Sequence, residues 1–597
     1  RDEHQEGTHV STTSLSRADE DEEIAPPVHD PSRPWYTSIQ PRVFFPALGI
    51  ILAFVIAAVL FPLQAGETLG VIREVVIQGV GWYYALIVVA FVIFSLWVGL
   101  SHYGDIKLAR DEEDKAEFTL TSWLAMLFAA GMGIGLVFWG VAEPLNHFAT
   151  TDAYGIIGAP QNDVGGAAEL SLVVSFLHWG LHPWAIYVVV GLAVAYAVHV
   201  KRRPISLRWT VQPLLGNRVK GWAGDAIDVI AVVGTVFGVA TSLGLGVMQI
   251  AAGLTFMDVL DADSPLALVY VVLIGVITAA AIASVVSGVG RGIKWLSNIN
   301  MGMAIGLLGF VFVLGPTLYF LRQYVEGIGS YVASFISLSF DTAAATGSAG
   351  LEWQGLWTAF YWGWWISWAP FVGVFIARIS RGRTVREFVL GVLLVPALFS
   401  ILWFTVLGGG ALQYEENGAG GLITDGAVDT EGVLFTFLQS FPGGTVVAGL
   451  TILLIAMFFI TSSDSGSLVV DMLSSGGMVE PPKWSRVTWS IIEGLVAMAL
   501  LLAGLAAAGG DPGLQGSALG ALQDTAITIA LPFSLVMILM AISIVREFRV
   551  RRNQILRAQR RMVRRELAQE VSEALVDEGL VNAPRGWRRR GGPRADR

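Results

Sequence analysis

Cysteine is absent from this 597-residue chain, which excludes disulfides, thiolate metal sites and cysteine nucleophiles. Charge is scarce as well. Asp, Glu, Lys and Arg make up 14% of the residues, against roughly 25% in an ordinary soluble domain, and a soluble enzyme is excluded on that ground. What fills the chain instead is apolar: 54% of residues are hydrophobic and the mean hydropathy is +0.62. Uncharged apolar stretches recur along most of the length, each long enough to cross a ~30 Å hydrocarbon layer as a helix of ~20 residues. The chain therefore reads as an all-α polytopic membrane protein. Its net charge of −10 averages over segments of opposite sign and says little about partners; no nucleic-acid partner is expected.

Run length places twelve spans near 43–63, 81–100, 119–142, 169–199, 225–254, 265–286, 297–320, 355–377, 391–412, 444–466, 485–508 and 522–545. The membrane-spanning body thus occupies 43–545. Residues 1–42 form an acidic, proline-containing tail, expected to be disordered, and 546–597 a charged tail able to form a helix. Connections after even-numbered spans carry Lys107, Arg110 and Lys115, then Lys201, Arg202, Arg203, Arg208, Arg218 and Lys220, with further basic residues after spans six, eight and ten. After odd-numbered spans only Arg73 and Arg322 occur. Lys and Arg are retained on the cytoplasmic side, so both termini are expected there. The C-terminal tail opens with a basic run from Arg546 to Arg565, which either anchors the last span or attaches to anionic lipid, and turns acidic from Glu566 to Glu578.

The informative places are those where a span departs from apolar filler. The third contains Ala129-Ala-Gly-Met-Gly-Ile-Gly135, with glycines at alternate positions, which either let two helices pack closely or mark a helix that opens. The eighth contains Phe360-Tyr-Trp-Gly-Trp-Trp-Ile-Ser-Trp-Ala-Pro-Phe371, where Pro370 removes a backbone donor and four tryptophans supply large π faces. The fourth carries Trp179, Trp184 and Tyr187, with His178 and His182 among them and Pro183 able to kink the helix. Aromatic rings around one point form a cation–π cage suited to a quaternary ammonium, although spacing alone does not make them converge. The two histidines read as packing or hydrogen-bonding residues rather than metal ligands, because no Cys and no nearby Asp or Glu completes a site. The tenth span runs Phe458-Phe-Ile-Thr-Ser-Ser-Asp-Ser-Gly-Ser467. Its hydroxyls either bond back to their own helix or replace the water shell of Na⁺; Thr235 and Thr241 in the fifth span carry the same signal more weakly.

On these residues the chain resembles the betaine/choline/carnitine transporter family, nearest its sodium-coupled glycine betaine carriers. The strongest markers are Gly131-Met-Gly-Ile-Gly135, Trp362-Gly-Trp-Trp-Ile-Ser-Trp-Ala-Pro-Phe371 and Ala377-Arg-Ile-Ser-Arg-Gly-Arg383. The resemblance implies a LeuT-like core of two inverted five-helix repeats, about 119–320 and 355–545, with the substrate at the irregular first helix of each. It implies that Trp179, Trp184, Tyr187 and Trp365 cage a trimethylammonium group and that Trp368 receives substrate on the inward path. Gly131, Met132, Gly133 and Gly135 would lie near the substrate carboxylate. Choline carriers of the family tend to hold an Asp at the place of Gly135, so glycine favours a zwitterion. For Na⁺ the resemblance implies one site from Ala129, Met132, Phe458, Thr461 and Ser462. A second would use Thr235, Asn300 and Phe371, but Val239 stands where that site has another threonine, and valine keeps the shape without the oxygen. The resemblance further implies a homotrimer, to which the segment near Thr384–Phe388 contributes, in a bacterial cytoplasmic membrane.

The leading expectation is thus Na⁺-coupled symport of glycine betaine or a related compatible solute for osmoprotection. Proton coupling or exchange of the same solutes is the alternative within that class, with Asp464 as a candidate proton carrier. A channel or osmosensory receptor is the alternative outside it. An enzyme is not expected, since no nucleophile–base pair or metal cluster emerges from the sequence.

Overall fold

The computed structural model describes residues 24–30, 32–111, 114–131, 133–150, 164–287, 290–509, 516–578 and 580. Apart from one two-stranded hairpin at 423–428, the regular structure there is helical. Two helices come first, α1 (Pro41–Leu60) and α2 (Pro62–Leu100). The first half of the body comprises α3 (Leu120–Gly131), α4 (Ile134–Ala149), α5 (Val164–Trp179), α6 (Leu181–Ala195), α7 (Trp222–Phe256), α8 (Leu266–Ser287) and α9 (Gly290–Leu314). Two helices link the halves, α10 (Thr317–Ser339) and α11 (Gly347–Leu356). The second half comprises α12 (Thr358–Ile379), α13 (Val385–Asn417), the short α14 (Val433–Gln439), α15 (Gly444–Ser474), α16 (Lys483–Ala507) and α17 (Gly516–Asp577).

Ten helical stretches of the described chain are long and apolar enough to cross a membrane. The two expected spans outside that set are the third, divided into α3 and α4, and the eighth, α12, diluted by its tryptophans. Both build the site described below. The central stretch of α7 is 89% buried, whereas those of α8 and α9 are only 22% buried. That contrast puts α7 inside the bundle and leaves the apolar faces of α8 and α9 outward, as lipid requires.

Three expectations are corrected. The second span does not begin at 81, because α2 runs from Pro62 as 39 residues. Its first half carries Glu67, Arg73 and Glu74, which interrupt the apolar run without interrupting the helix, and Arg73 Nε lies 3.2 Å from the Asp524 carboxylate. Pro370 does not open the eighth span, since α12 is continuous through it; the irregular residue is Trp357 (φ −119°, ψ −83°), just before α12. Nor does Pro183 kink the fourth span. The chain breaks at Gly180, and Pro183 falls in the first turn of α6, where its missing N–H would have had no partner within the helix. A side chain at Gly180 would drive its Cβ into the Phe176 carbonyl oxygen and to 2.8 Å from the Tyr331 hydroxyl.

The glycine stretch does interrupt its span: α4 restarts at Ile134 after Gly133 in extended conformation (φ −170°, ψ −177°). The chain after Ile379 re-enters α13 through a capping box, in which Thr384 and Glu387 satisfy each other's backbone N–H. The last span continues without interruption into the C-terminal tail as one 62-residue helix to Asp577.

Candidate substrate site

The break at Gly133, the break at Gly180 and the tryptophan face of α12 meet in one cavity. Trp179 from the end of α5, Trp184 and Tyr187 from α6, and Trp365 and Trp368 from α12 all line it, together with Gly133 and Gly135. All five expected aromatic residues therefore converge. Trp179 and Trp365 meet edge to face at 4.9 Å, Trp184 and Tyr187 at 5.4 Å, and Trp365 and Trp368 lie 6.4 Å apart. A further wall residue escaped the sequence reading as a site residue: Trp364 lines the same cavity and stacks on Trp365 at 4.5 Å.

Polar atoms fix these rings. Trp365 Nε1 donates to the His178 carbonyl at 3.0 Å, and Trp364 Nε1 donates to Ser242 Oγ at 3.2 Å. The Tyr187 hydroxyl and Trp368 Nε1 are buried in the cavity wall and have no hydrogen-bond partner among the described residues, leaving two donors for a ligand that carries acceptor oxygens. Gly135 is required by space. A Cβ there would lie 2.6 Å from Trp364 and 2.8 Å from Trp179, and both contacts are carbons of closely packed rings. We expect Gly135→Ala to weaken substrate affinity about tenfold or more by displacing those rings; transport kinetics at constant expression would check it, and an unchanged half-saturation constant would refute it.

Behind the cage lies a group the sequence reading missed. Glu143 of α4 is fully buried. Its Oε2 accepts from Trp179 Nε1 at 2.7 Å and from the Tyr361 hydroxyl at 2.5 Å. Its Oε1 lies 2.7 Å from His178 Nδ1 and 3.3 Å from His147 Nε2, and His178 Nε2 reaches Thr358 Oγ1 at 3.1 Å. The expectation that no acidic residue stands near His178 is thereby corrected, because Glu143 arrives from another helix. Glu143, His147 and His178 present three ligand-type atoms within 4.8 Å of one another. Those atoms are already engaged with one another, and the glutamate also with two ring donors, so the arrangement acts as a hydrogen-bonded anchor for the cage. His182 keeps a packing role, with Nε2 at 2.9 Å from Ser339 Oγ and its ring stacked on Trp362.

A second cavity adjoins Trp368 and is lined by Asn300, Phe371, Phe458, Thr461 and Ser462. The residues named for Na⁺ on α15 are thus together, and Asn300 Nδ2 donates to Thr461 Oγ1 at 3.1 Å. The partner stretch is only partly described: Met132 lies outside the described residues, and of Ala129 and Gly131 only the helical backbone is described. Thr235 does not line this cavity. It is buried on α7 with its hydroxyl donated to the Ala231 carbonyl at 2.7 Å. Where Val239 brings methyl groups, a carboxylate stands close: Val239 Cγ2 and Glu493 Oε1 lie 3.0 and 3.2 Å from the point a Gly466 Cβ would occupy. Asp464 is held by Arg486, with Nη2 at 2.6 Å from Oδ1.

Membrane-length helices around an aromatic cavity at a helix break define a multi-pass membrane transporter. Residues 42–553 match the sequence model of BCCT, betaine/carnitine/choline family transporter. An uncharacterized transporter of Mycobacterium tuberculosis is 48% identical over 512 residues, covering 86% of this chain and 83% of its own. Glycine betaine transporter OpuD of Bacillus subtilis is 42% identical over 515 residues, covering 86% and 96%. A glycine betaine/proline/choline transporter of Vibrio parahaemolyticus is 39% identical over 528 residues, covering 86% and 91%. Among solved structures, a mutant of the Eremococcus coleocola manganese transporter aligns over 72% of this chain and 81% of its own, at a TM-score of 0.41 and 15% identity, too distant to bear on function. The chain belongs to the betaine/carnitine/choline transporter family.

Proposed function

We propose that this protein is a Na⁺-coupled symporter that carries glycine betaine or a related zwitterionic compatible solute into the cell for osmoprotection. The observation that carries the reading is the convergence of Trp179, Trp184, Tyr187, Trp365 and Trp368 on one cavity beside the opened glycine stretch. A quaternary ammonium cannot donate a hydrogen bond, so stacked π faces are the chemistry that holds it. The free Tyr187 hydroxyl and Trp368 N–H suit a carboxylate, and glycine at 135 leaves that end without a competing negative charge. The named glycine betaine transporters among the relatives support the same solute class. Na⁺ would bind where the α3–α4 break approaches Phe458, Thr461 and Ser462, ordering the opened helix against α15, so that ion and solute stabilise one closed state.

The same reading places both termini in the cytoplasm of a bacterium, the chain in its inner membrane as a homotrimer, and the basic run Arg546–Arg565 against anionic lipid. The experiment is glycine betaine uptake into proteoliposomes of the purified protein, with and without an inward Na⁺ gradient, at two external osmolalities. Sodium-driven accumulation is expected, and Thr461→Ala is expected to raise the Na⁺ concentration for half-maximal uptake about tenfold or more. Uptake that follows a proton gradient, or occurs only by exchange, would overturn the sodium assignment and leave the cage intact. Single-step conductance without saturation would overturn the transporter mechanism.

A further inference from the structure

The wall of the cage includes one residue from a helix that none of the cage rings belongs to. Ser400, on α13, lines the same cavity as Trp179, Tyr187 and Trp365 and is only 3% exposed. A hydroxyl inside a membrane helix ordinarily bonds back to the carbonyl four residues earlier, as Thr405 does on the same helix, with Oγ1 at 2.7 Å from the Ile401 carbonyl. Ser400 departs from that habit, and its hydroxyl makes no hydrogen bond to the described residues. Among aromatic rings, a buried hydroxyl without a partner is costly unless a ligand meets it.

The register of α13 shows what it faces. This helix runs along the broken third span in the reverse direction: a Cβ at Gly391 would meet the Trp123 ring of α3, Trp403 Nε1 donates to the Leu136 carbonyl at 2.7 Å, and a Cβ at Gly408 would meet Pro144. Ser400 stands about one turn before Trp403, which on this antiparallel course puts it level with the break, and Gly133 and Gly135 line the cavity with it. The break is the start of α4, whose N-cap, Gly133, supplies no side-chain hydrogen bond. First-turn N–H groups have no partner within a helix, and the positive end of the helix dipole lies there. The uncapped helix start and the unpartnered hydroxyl therefore open on the same space.

We propose that Ser400 is a specificity-determining residue, whose hydroxyl donates to the carboxylate of a zwitterionic solute while the rings hold its ammonium end. This rests on the reading of the cavity as a betaine site and adds to it a donor from outside the aromatic helices. No lysine, arginine or histidine lines the cavity, so a carboxylate is recognised there by neutral donors alone, and each one carries a large share of the discrimination between a zwitterion and a plain cation. An ionised carboxylate offers about four acceptor positions, enough for Ser400 beside the Tyr187 hydroxyl, the Trp368 N–H and the start of α4. A quaternary ammonium ion that has no acceptor gains nothing from any of them.

The test is titration of the purified full chain in lipid nanodiscs, followed by tryptophan fluorescence, with glycine betaine and with tetramethylammonium chloride, which carries the caged group and no acceptor. Ser400→Ala removes one oxygen, and it is expected to weaken betaine binding about tenfold or more, as loss of a buried hydrogen bond to a charged group does, while tetramethylammonium affinity stays the same. The thermal unfolding midpoint of the ligand-free variant should be unchanged or raised, because the oxygen removed has no partner until substrate arrives; a hydroxyl with a structural role would lower it. Unchanged betaine affinity would overturn the proposal, as would equal weakening of both ligands, or a lowered midpoint. Wild-type protein that binds tetramethylammonium as tightly as betaine would remove any carboxylate recognition and leave the cage. Wild-type protein that binds neither would instead bring down the betaine-site reading itself, so the two failures are distinct.

Discussion

Trp365→Ala is expected to raise the half-saturation constant for glycine betaine uptake about 30-fold or more, with expression and membrane insertion unchanged. A desolvated cation–π contact contributes about 2 kcal/mol or more, and 1.4 kcal/mol is a factor of ten. Trp365 is central to the cage, stacked on Trp364 at 4.5 Å and meeting Trp179 edge to face at 4.9 Å. Its removal therefore takes away one π face and loosens two others. Size and electrostatics can be separated. Trp365→Leu keeps most of the apolar burial without the ring quadrupole, whereas Trp365→Phe keeps a quadrupole but leaves the His178 carbonyl without its indole donor. If attraction between ring and ammonium dominates, the order of affinity is wild type, then Phe, then Leu, with Ala weakest. If filling the cavity dominates, the same order follows from side-chain volume, and the two readings are separated by the substrate rather than by the variant. An unchanged constant in all three would remove Trp365 from the site. Kinetics with a neutral isostere, in which a tert-butyl group replaces trimethylammonium, would measure the charge contribution directly.

The cage was legible in the sequence because each of its halves is local. Trp365 and Trp368 are three residues apart on one helix, and Trp184 and Tyr187 likewise, so helical periodicity puts each pair on one face. That the two faces meet is tertiary information, carried here by the resemblance of the glycine and tryptophan stretches to a known family. Trp364 was passed over because it sits one residue off that face, yet it reaches the cavity through its stack on Trp365. The early start of α2 was hidden by charged residues, since run length counts them as interruptions and the helix does not. Glu143 is the most instructive omission. An acid followed four residues later by histidine inside an apolar stretch, as in Val141-Ala-Glu-Pro-Leu-Asn-His147, is a local signal of a buried polar pair. Its other partners, His178, Trp179 and Tyr361, come from two more helices, and no spacing rule joins them.

That omission leads to the second large effect. A carboxylate only accepts hydrogen bonds, and Glu143 is surrounded by the Trp179 N–H, the Tyr361 O–H and two histidine nitrogens, all in a site closed to solvent. Glu143→Ala removes the shared acceptor and strands those groups in a cavity. Breaking a buried network in this way costs about 3–5 kcal/mol, enough to lower both the thermal unfolding midpoint and the yield of folded protein. That result alone would show only a structural part. Glu143→Gln is the sharper experiment, because it preserves volume but replaces one acceptor oxygen with an amide that donates. Whichever way the amide turns, either the Trp179 and Tyr361 pair or the histidine pair loses its acceptor. If the ring donors lose it, Trp179 is free to rotate out of its edge-to-face contact with Trp365. The expected outcome is folded protein whose betaine affinity falls at least about tenfold while its maximal rate changes less, because the cage is disordered before substrate arrives and must be ordered by it. The tryptophan fluorescence change on betaine binding should shrink in parallel. If Glu143→Gln instead kept wild-type affinity and lost only thermal stability, Glu143 would be a packing anchor for α4 and α5, and the orientation of Trp179 would have to come from the surrounding rings alone.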